Sequence, residues 1–112
     1  MVDKNYIPER GEIIWLNFSP SRGHEQRGRR PALVISPTTY NGRSGLVLVC
    51  PITSKSHHYP FEVEFHSEKV DGVILVDQLK SIDWRIRRTE FIDILPSEKF
   101  SVVQQLLARL VG

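Results

Sequence analysis

Glu12-Ile13-Ile14-Trp15-Leu16-Asn17-Phe18 is an apolar, β-branched and aromatic run, set off by Pro8 and Gly11 before it and Ser19-Pro20 after it. Such residues favour extended backbone and such boundaries stop it, so the run reads as a first strand. The same pattern recurs down the chain. Pro31 to Ser36 is a second strand stopped by Pro37, and Leu46 to Ile52 is a third, with Asn41-Gly42 and Gly45 supplying tight-turn residues between them. Phe61-Glu62-Val63-Glu64-Phe65 alternates strictly, which predicts one buried and one wet face. Asp71-Gly72 reads as a turn into Val73 to Val76, with further strand character over Leu79 to Trp84 and Arg87 to Ile92. Helical spacing appears only at the end, where Phe100, Val103, Leu106, Leu107 and Leu110 form one stripe behind an N-cap signal at Pro96-Ser97 and Glu98 in the first turn. Five to seven short strands and one terminal helix predict a mostly β fold: a small, strongly bent antiparallel barrel with a C-terminal α-helix, one domain over residues 1–112.

Composition narrows the function. Hydrophobic residues make up 40% and charged residues 25%, ordinary for a soluble globule. The longest apolar runs are too short to span a bilayer, and Met1 to Arg10 contains no apolar stretch of the signal-peptide kind. The single cysteine, Cys50, sits in an apolar run and reads as a buried thiol in a reducing compartment, so a cytoplasmic protein is expected. Net charge is +2, but Pro20 to Pro60 holds six Lys/Arg against Glu25 alone, a local +5 that leaves −3 for the remainder. A second cationic cluster is Lys80, Arg85, Arg87 and Arg88. Local basic surface on a nearly neutral protein points to a polyanion partner, and the excess of arginine over lysine favours bidentate phosphate contacts.

The densest chemistry lies in Gly23-His24-Glu25-Gln26-Arg27-Gly28-Arg29-Arg30-Pro31, where cations crowd one carboxylate between two glycines. A loop of this kind can bring amides and guanidinium groups to a phosphate with a carboxylate in reach. Metal-free RNA cleavage needs a group to take the 2′-hydroxyl proton and groups to stabilise charge on phosphorus. Glu25 and Arg30 meet these needs in principle, and Thr53 can donate to a non-bridging oxygen. Arginine is a poor proton acceptor, so Arg30 is assigned to electrostatics. Equally, Arg30 fits an ordinary loop cation held extended by Pro31, and Thr53 a plain strand-end hydroxyl. The four histidines lack zinc spacing, so no metal and no cofactor is expected.

At Gly11-Glu12-Ile13-Ile14-Trp15, Glu25-Gln26-x-Gly28-x-Arg30-Pro31-Ala32-Leu33-Val34, Pro51-Ile52-Thr53-Ser54, Tyr59-Pro60-Phe61-Glu62-Val63 and Asp77-Gln78-Leu79-Lys80-Ser81-Ile82-Asp83-Trp84-Arg85 the chain resembles the MazF/PemK-type mRNA interferases, the toxins of type II toxin–antitoxin systems. The resemblance implies a Src-homology-3-like barrel of the MazF/CcdB type, a homodimer, and metal-independent cleavage of single-stranded mRNA at short motifs. It implies products with 2′,3′-cyclic phosphate and 5′-hydroxyl ends, and leans toward ACA-containing sites. It places catalysis on Glu25, Arg30 and Thr53, with Gln26 beside the substrate. Further RNA contacts are expected from Arg22, Arg27, Arg29, Lys55, Asp77, Gln78, Lys80 and Arg87, although a strand-end carboxylate such as Asp77 is often only a local cap. An antitoxin with an acidic, partly disordered segment is expected to fit the same basic groove.

Two other functions share these features. Gyrase-poisoning toxins of the same fold act through a C-terminal Trp-Gly-Ile, where this chain has Leu110-Val111-Gly112. A non-catalytic nucleic-acid-binding barrel would need the basic groove without the Glu25–Arg30 pair. Trp15 reads as core, and Trp84, between Asp83 and Arg85, as a surface or dimer residue.

Overall fold

A computed structural model describes residues 6–18 and 28–112 of the chain. Among the described residues seven strands form one antiparallel sheet: β1 (Glu12–Asn17), β2 (Arg29–Val34), β3 (Leu46–Thr53), β4 (Glu62–His66), β5 (Asp71–Leu75), β6 (Lys80–Asp83) and β7 (Glu90–Ile94). Two α-helices, α1 (Thr38–Ser44) and α2 (Ser97–Val111), and two 3-10 turns complete it. The strand order is β4-β5-β3-β2-β1-β7, and β6 pairs with β3 beside that path. β3 is the pivot. Its first half, Leu46 to Val49, pairs with β6 and its end, Ile52 and Thr53, with β5. Pro51, which has no N–H to give, falls at the changeover between these two partners.

The bend leaves both faces of the central strands buried. On β1, Ile13 joins a cluster with Leu33, Cys50, Ile52, Val63, Phe65, Ile74 and Val103, while Trp15 packs against it. Ile14, Leu16 and Phe18 point the other way, into the barrel interior with Ala32, Val34, Val47, Val49 and Ile82. A strand buried on both faces reads as a continuous apolar run, as β1 does. Helix α2 covers the first cluster through fully buried Val103, with Phe100, Leu106 and Leu107 half-buried. The last residue of the expected stripe, Leu110, remains 42% exposed.

Local sequence signals fail at three places. Asn41-Gly42 is not a tight turn; it lies inside α1. Asn41 is fully buried, its Nδ2 donating to Pro8 O (2.8 Å) and Ser36 O (3.0 Å) while Oδ1 accepts from Ser36. Those tertiary bonds hold the segment as a helix, and Gly45 (φ +74) closes it in the left-handed conformation glycine tolerates. Asp71-Gly72 is likewise not a turn: both residues are in β5, opposite His66 and Phe65, and the chain reverses over residues 67–70 with Ser67 N–H donating to Val70 O. Ser97 does not cap α2 with its side chain; Pro96 precedes the helix and no side-chain cap forms. Trp84, read as a surface or dimer residue, is half-buried against the barrel cluster, and its Nε1–H donates to Asn41 O at 2.9 Å. No helix among the described residues is long and apolar enough to cross a membrane.

Candidate active site

Arg30 and Thr53 meet because of strand register. Ala32, Leu33 and Val34 of β2 stand opposite Pro51, Cys50 and Val49 of β3. Continuing that antiparallel register by two residues sets Arg30 across from Thr53, and directly opposed residues send their side chains to the same face. Alternation settles which face. Ala32 and Val34 enter the barrel interior, as do Val47 and Val49, so Arg30 and Thr53 share that side at its open end. Both line one depression of about 350 Å³, together with Gly28, Arg29, Ile52, Ser54 and Asp71. Arg30 and Thr53 are each half-exposed. A guanidinium fork beside a hydroxyl, open to solvent, is suited to the non-bridging oxygens of a phosphodiester.

The expectations placed on Arg22, Glu25, Gln26 and Arg27 lie outside the described residues. The described flanks of that segment are tied together, since Phe18 N–H donates to Gly28 O at 2.8 Å and Asn17 stands opposite Arg29. Gly28 has φ +75, a value that disfavours any side chain. Lys80 of β6 faces the barrel interior with Ile82, its Nζ 5.8 Å from the Phe18 ring, so its charge sits near the same opening.

Other cations are engaged in the fold. Arg29 donates to Arg88 O and to Glu90 (2.8 Å), and its guanidinium lies 5.6 Å from the Trp15 ring centre. Arg87 Nη1 donates to Asn17 O (3.4 Å). Arg85 Nη2 donates to Gly42 O (2.9 Å), at the C-terminal end of α1 where orphan carbonyls need donors. Lys55 is exposed, and its N–H donates to Thr53 Oγ1 at 3.4 Å, which orients the hydroxyl. Asp77 and Gln78 occupy the 3-10 turn Val76–Gln78, beside α2, and are not among the residues lining the depression.

The segment after Thr53 is held by Glu62, whose carboxylate accepts from Ser56 Oγ (2.9 Å) and His57 N–H (3.1 Å). Slight burial pushes the Glu62 carboxyl up, but these hydrogen bonds and the nearby His57 outweigh it and hold the group below the usual range. Ser54 and Asp71 in the depression were not singled out as site residues from sequence. Asp71 was hidden because Asp-Gly is a strong local turn signal, and only the β4–β5 register exposes its position. No group of three or more His, Cys, Asp or Glu that could hold a metal occurs among the described residues.

The bent sheet thus brings an arginine and a hydroxyl, distant in sequence, to one open depression. The chain matches, over residues 9–111, the family described as PemK-like, MazF-like toxin of type II toxin–antitoxin system, and it belongs to that family. It is 41% identical over 107 residues to the endoribonuclease toxin MazF of Escherichia coli (strain K12), covering 96% of each chain. The crystal structure of MazF (Form-I) from Deinococcus radiodurans superposes with a TM-score of 0.92 at 48% identity, covering 96% of this chain and 99% of that one. A MazE–MazF crystal structure (Form-II) from the same organism gives 0.85 at 43%, covering 96% and 98%.

Proposed function

We propose that this toxin-family endoribonuclease cuts single-stranded mRNA at short motifs without a metal, using the substrate's own 2′-hydroxyl as nucleophile. The 2′-oxygen attacks phosphorus as its proton passes to Glu25. Arg30 and Thr53 hold the non-bridging oxygens, where charge builds, and the bond to the 5′-oxygen breaks as that oxygen takes a proton from solvent water, to which Glu25 later returns the one it accepted. The products carry a 2′,3′-cyclic phosphate and a 5′-hydroxyl, and translation stops as messages are lost. The observation that carries this reading is the convergence of Arg30 and Thr53, distant in sequence, in one open depression.

The protein acts in the cytoplasm as a two-fold dimer, restrained by an antitoxin whose acidic, partly disordered segment competes with RNA for the basic mouth. MazF of Deinococcus radiodurans, which this chain resembles, has been solved with MazE, and that supports a partner of this kind. The test is direct. Purified protein incubated with an unstructured RNA in excess chelator should cut it, leaving ends that cannot be ligated without removing the cyclic phosphate. Loss of cutting with chelator, or 3′-hydroxyl ends, would sink the mechanism.

A further inference from the structure

The depression around Arg30 and Thr53 does not stop at Thr53. A second cavity of about 320 Å³ adjoins it and shares two lining residues, Ser54 and Asp71. Its volume falls within the range that seats small ligands. Register explains the continuity. Thr53 stands opposite Val73 on β5, and Val73 opposite Glu64 on β4. Thr53, Val73 and Glu64 therefore make one row on one face across three strands, and Arg30 lines the same depression as Thr53. Two residues along, on the same face, His66 and Asp71 oppose each other, with the His66 ring nitrogen against the Asp71 carboxylate.

The two ends of this trough have opposite chemistry. Arg29 and Arg30 line the first cavity and not the second, whereas Glu64 lines only the second, where the shared Asp71 sits beside His66 and, among the described residues, no arginine or lysine is present. A phosphate at the second end would face like charge. An amino group would find acceptors on both walls, above an apolar floor at Val73 that suits the face of a base. We propose that the second cavity seats a base next to the scissile phosphate and selects one that presents an amino group (adenine, cytosine or guanine) over uracil, with Asp71 and Glu64 as specificity-determining residues. Carboxylates accept hydrogen bonds from cytosine N4 in the same way in nucleic-acid grooves. Bases of single-stranded RNA are commonly read along their pairing edges once splayed out. Uracil offers that edge a single N3–H donor flanked by two carbonyl oxygens, which face the carboxylates unfavourably, and it has no amino group to reach both walls. This inference rests on the function proposed above.

The experiment cuts a randomised single-stranded RNA pool with wild-type protein, Asp71→Asn, Glu64→Gln and the double variant, and sequences the ends. At one position beside the cut, wild type should disfavour uracil by roughly ten- to a hundredfold, the discrimination one good polar contact supplies. In the double variant, shown by its melting curve to be folded, that ratio should fall toward one. Equal use of uracil at every position by wild type, or unchanged discrimination in the folded double variant, would overturn the assignment. If wild type cuts no RNA, the functional reading fails on its own, and a titration with mononucleotides decides this one. Cytidine monophosphate should then shift the amide resonances of Gly72 and Val73 at lower concentration than uridine monophosphate, and equal or absent shifts would refute it.

Discussion

Gly72 sits where the site depends on a single missing carbon. It lies in β5 opposite Phe65, and a Cβ built on it would come within 2.7 Å of Ile52 Cγ2 and of Thr53 O. Ordinary van der Waals contact begins near 3.4 Å, so about 0.7 Å must be found. The isoleucine methyl can turn away in part, but the carbonyl of Thr53 is backbone and moves only if β3 and β5 part. Gly72→Ala should therefore destabilise by about 1–3 kcal/mol, the usual cost of overpacking. At roughly 4 °C per kcal/mol for a domain of this size, the melting temperature should drop by about 4–12 °C. Because the strain enters at Thr53, activity should fall further than stability does. A displacement approaching 1 Å in a positioned catalytic group can cost about a hundredfold. Thermal unfolding by circular dichroism, with cleavage of a short RNA measured at a temperature where the variant is fully folded, separates the two effects. A variant that melts with wild type and cuts at the wild-type rate would show that β5 does not position Thr53 by close approach.

Three further outcomes are expected. Arg30→Ala should lose cleavage by about a hundredfold or more, as when one preorganised donor to a developing charge is removed, while urea unfolding stays near wild type because the side chain is half-exposed; wild-type turnover would remove Arg30 from the site. RNA affinity measured across a salt series should give a log–log slope of roughly −2 to −3, about −0.7 for each of three or four neutralised phosphates, and a flat response would mean that the basic mouth does not hold the backbone. Burial, with a smaller push from Asp77, raises the Cys50 thiol from 9.0 to about 12. A raised thiol keeps its full contribution below about pH 9 and loses it as pH climbs toward 12, with a slope approaching about 1.4 kcal/mol per unit as the unfolded thiol ionises. Cys50→Ala should abolish that part of the decline, so parallel wild-type and Cys50→Ala stability curves from pH 8 to 10.5 would contradict it.

Periodicity and composition account for much of this molecule. The uninterrupted apolar run of β1, the alternation of Phe61 to Phe65 and the stripe of α2 each report which faces are buried, because burial is repaid locally, residue by residue, along one element. The loop from Gly23 to Pro31 raises the expectation of phosphate chemistry because its charges are neighbours in the chain, but residues 19–27 lie outside the described residues. Turn signals are different. Asn41-Gly42 and Asp71-Gly72 carry the same local preference, and both are overruled by tertiary pairing: Asn41 by bonds to Pro8 and Ser36, Asp71-Gly72 by the ladder with His66 and Phe65. The cations of the second basic cluster show the same limit, as Arg85 is drawn off to the end of α1. Nothing in the spacing of Arg30 and Thr53 says that they touch one cavity. Antiparallel register decides it, and register is a property of paired strands, set by which faces are buried across the whole sheet rather than by either strand alone.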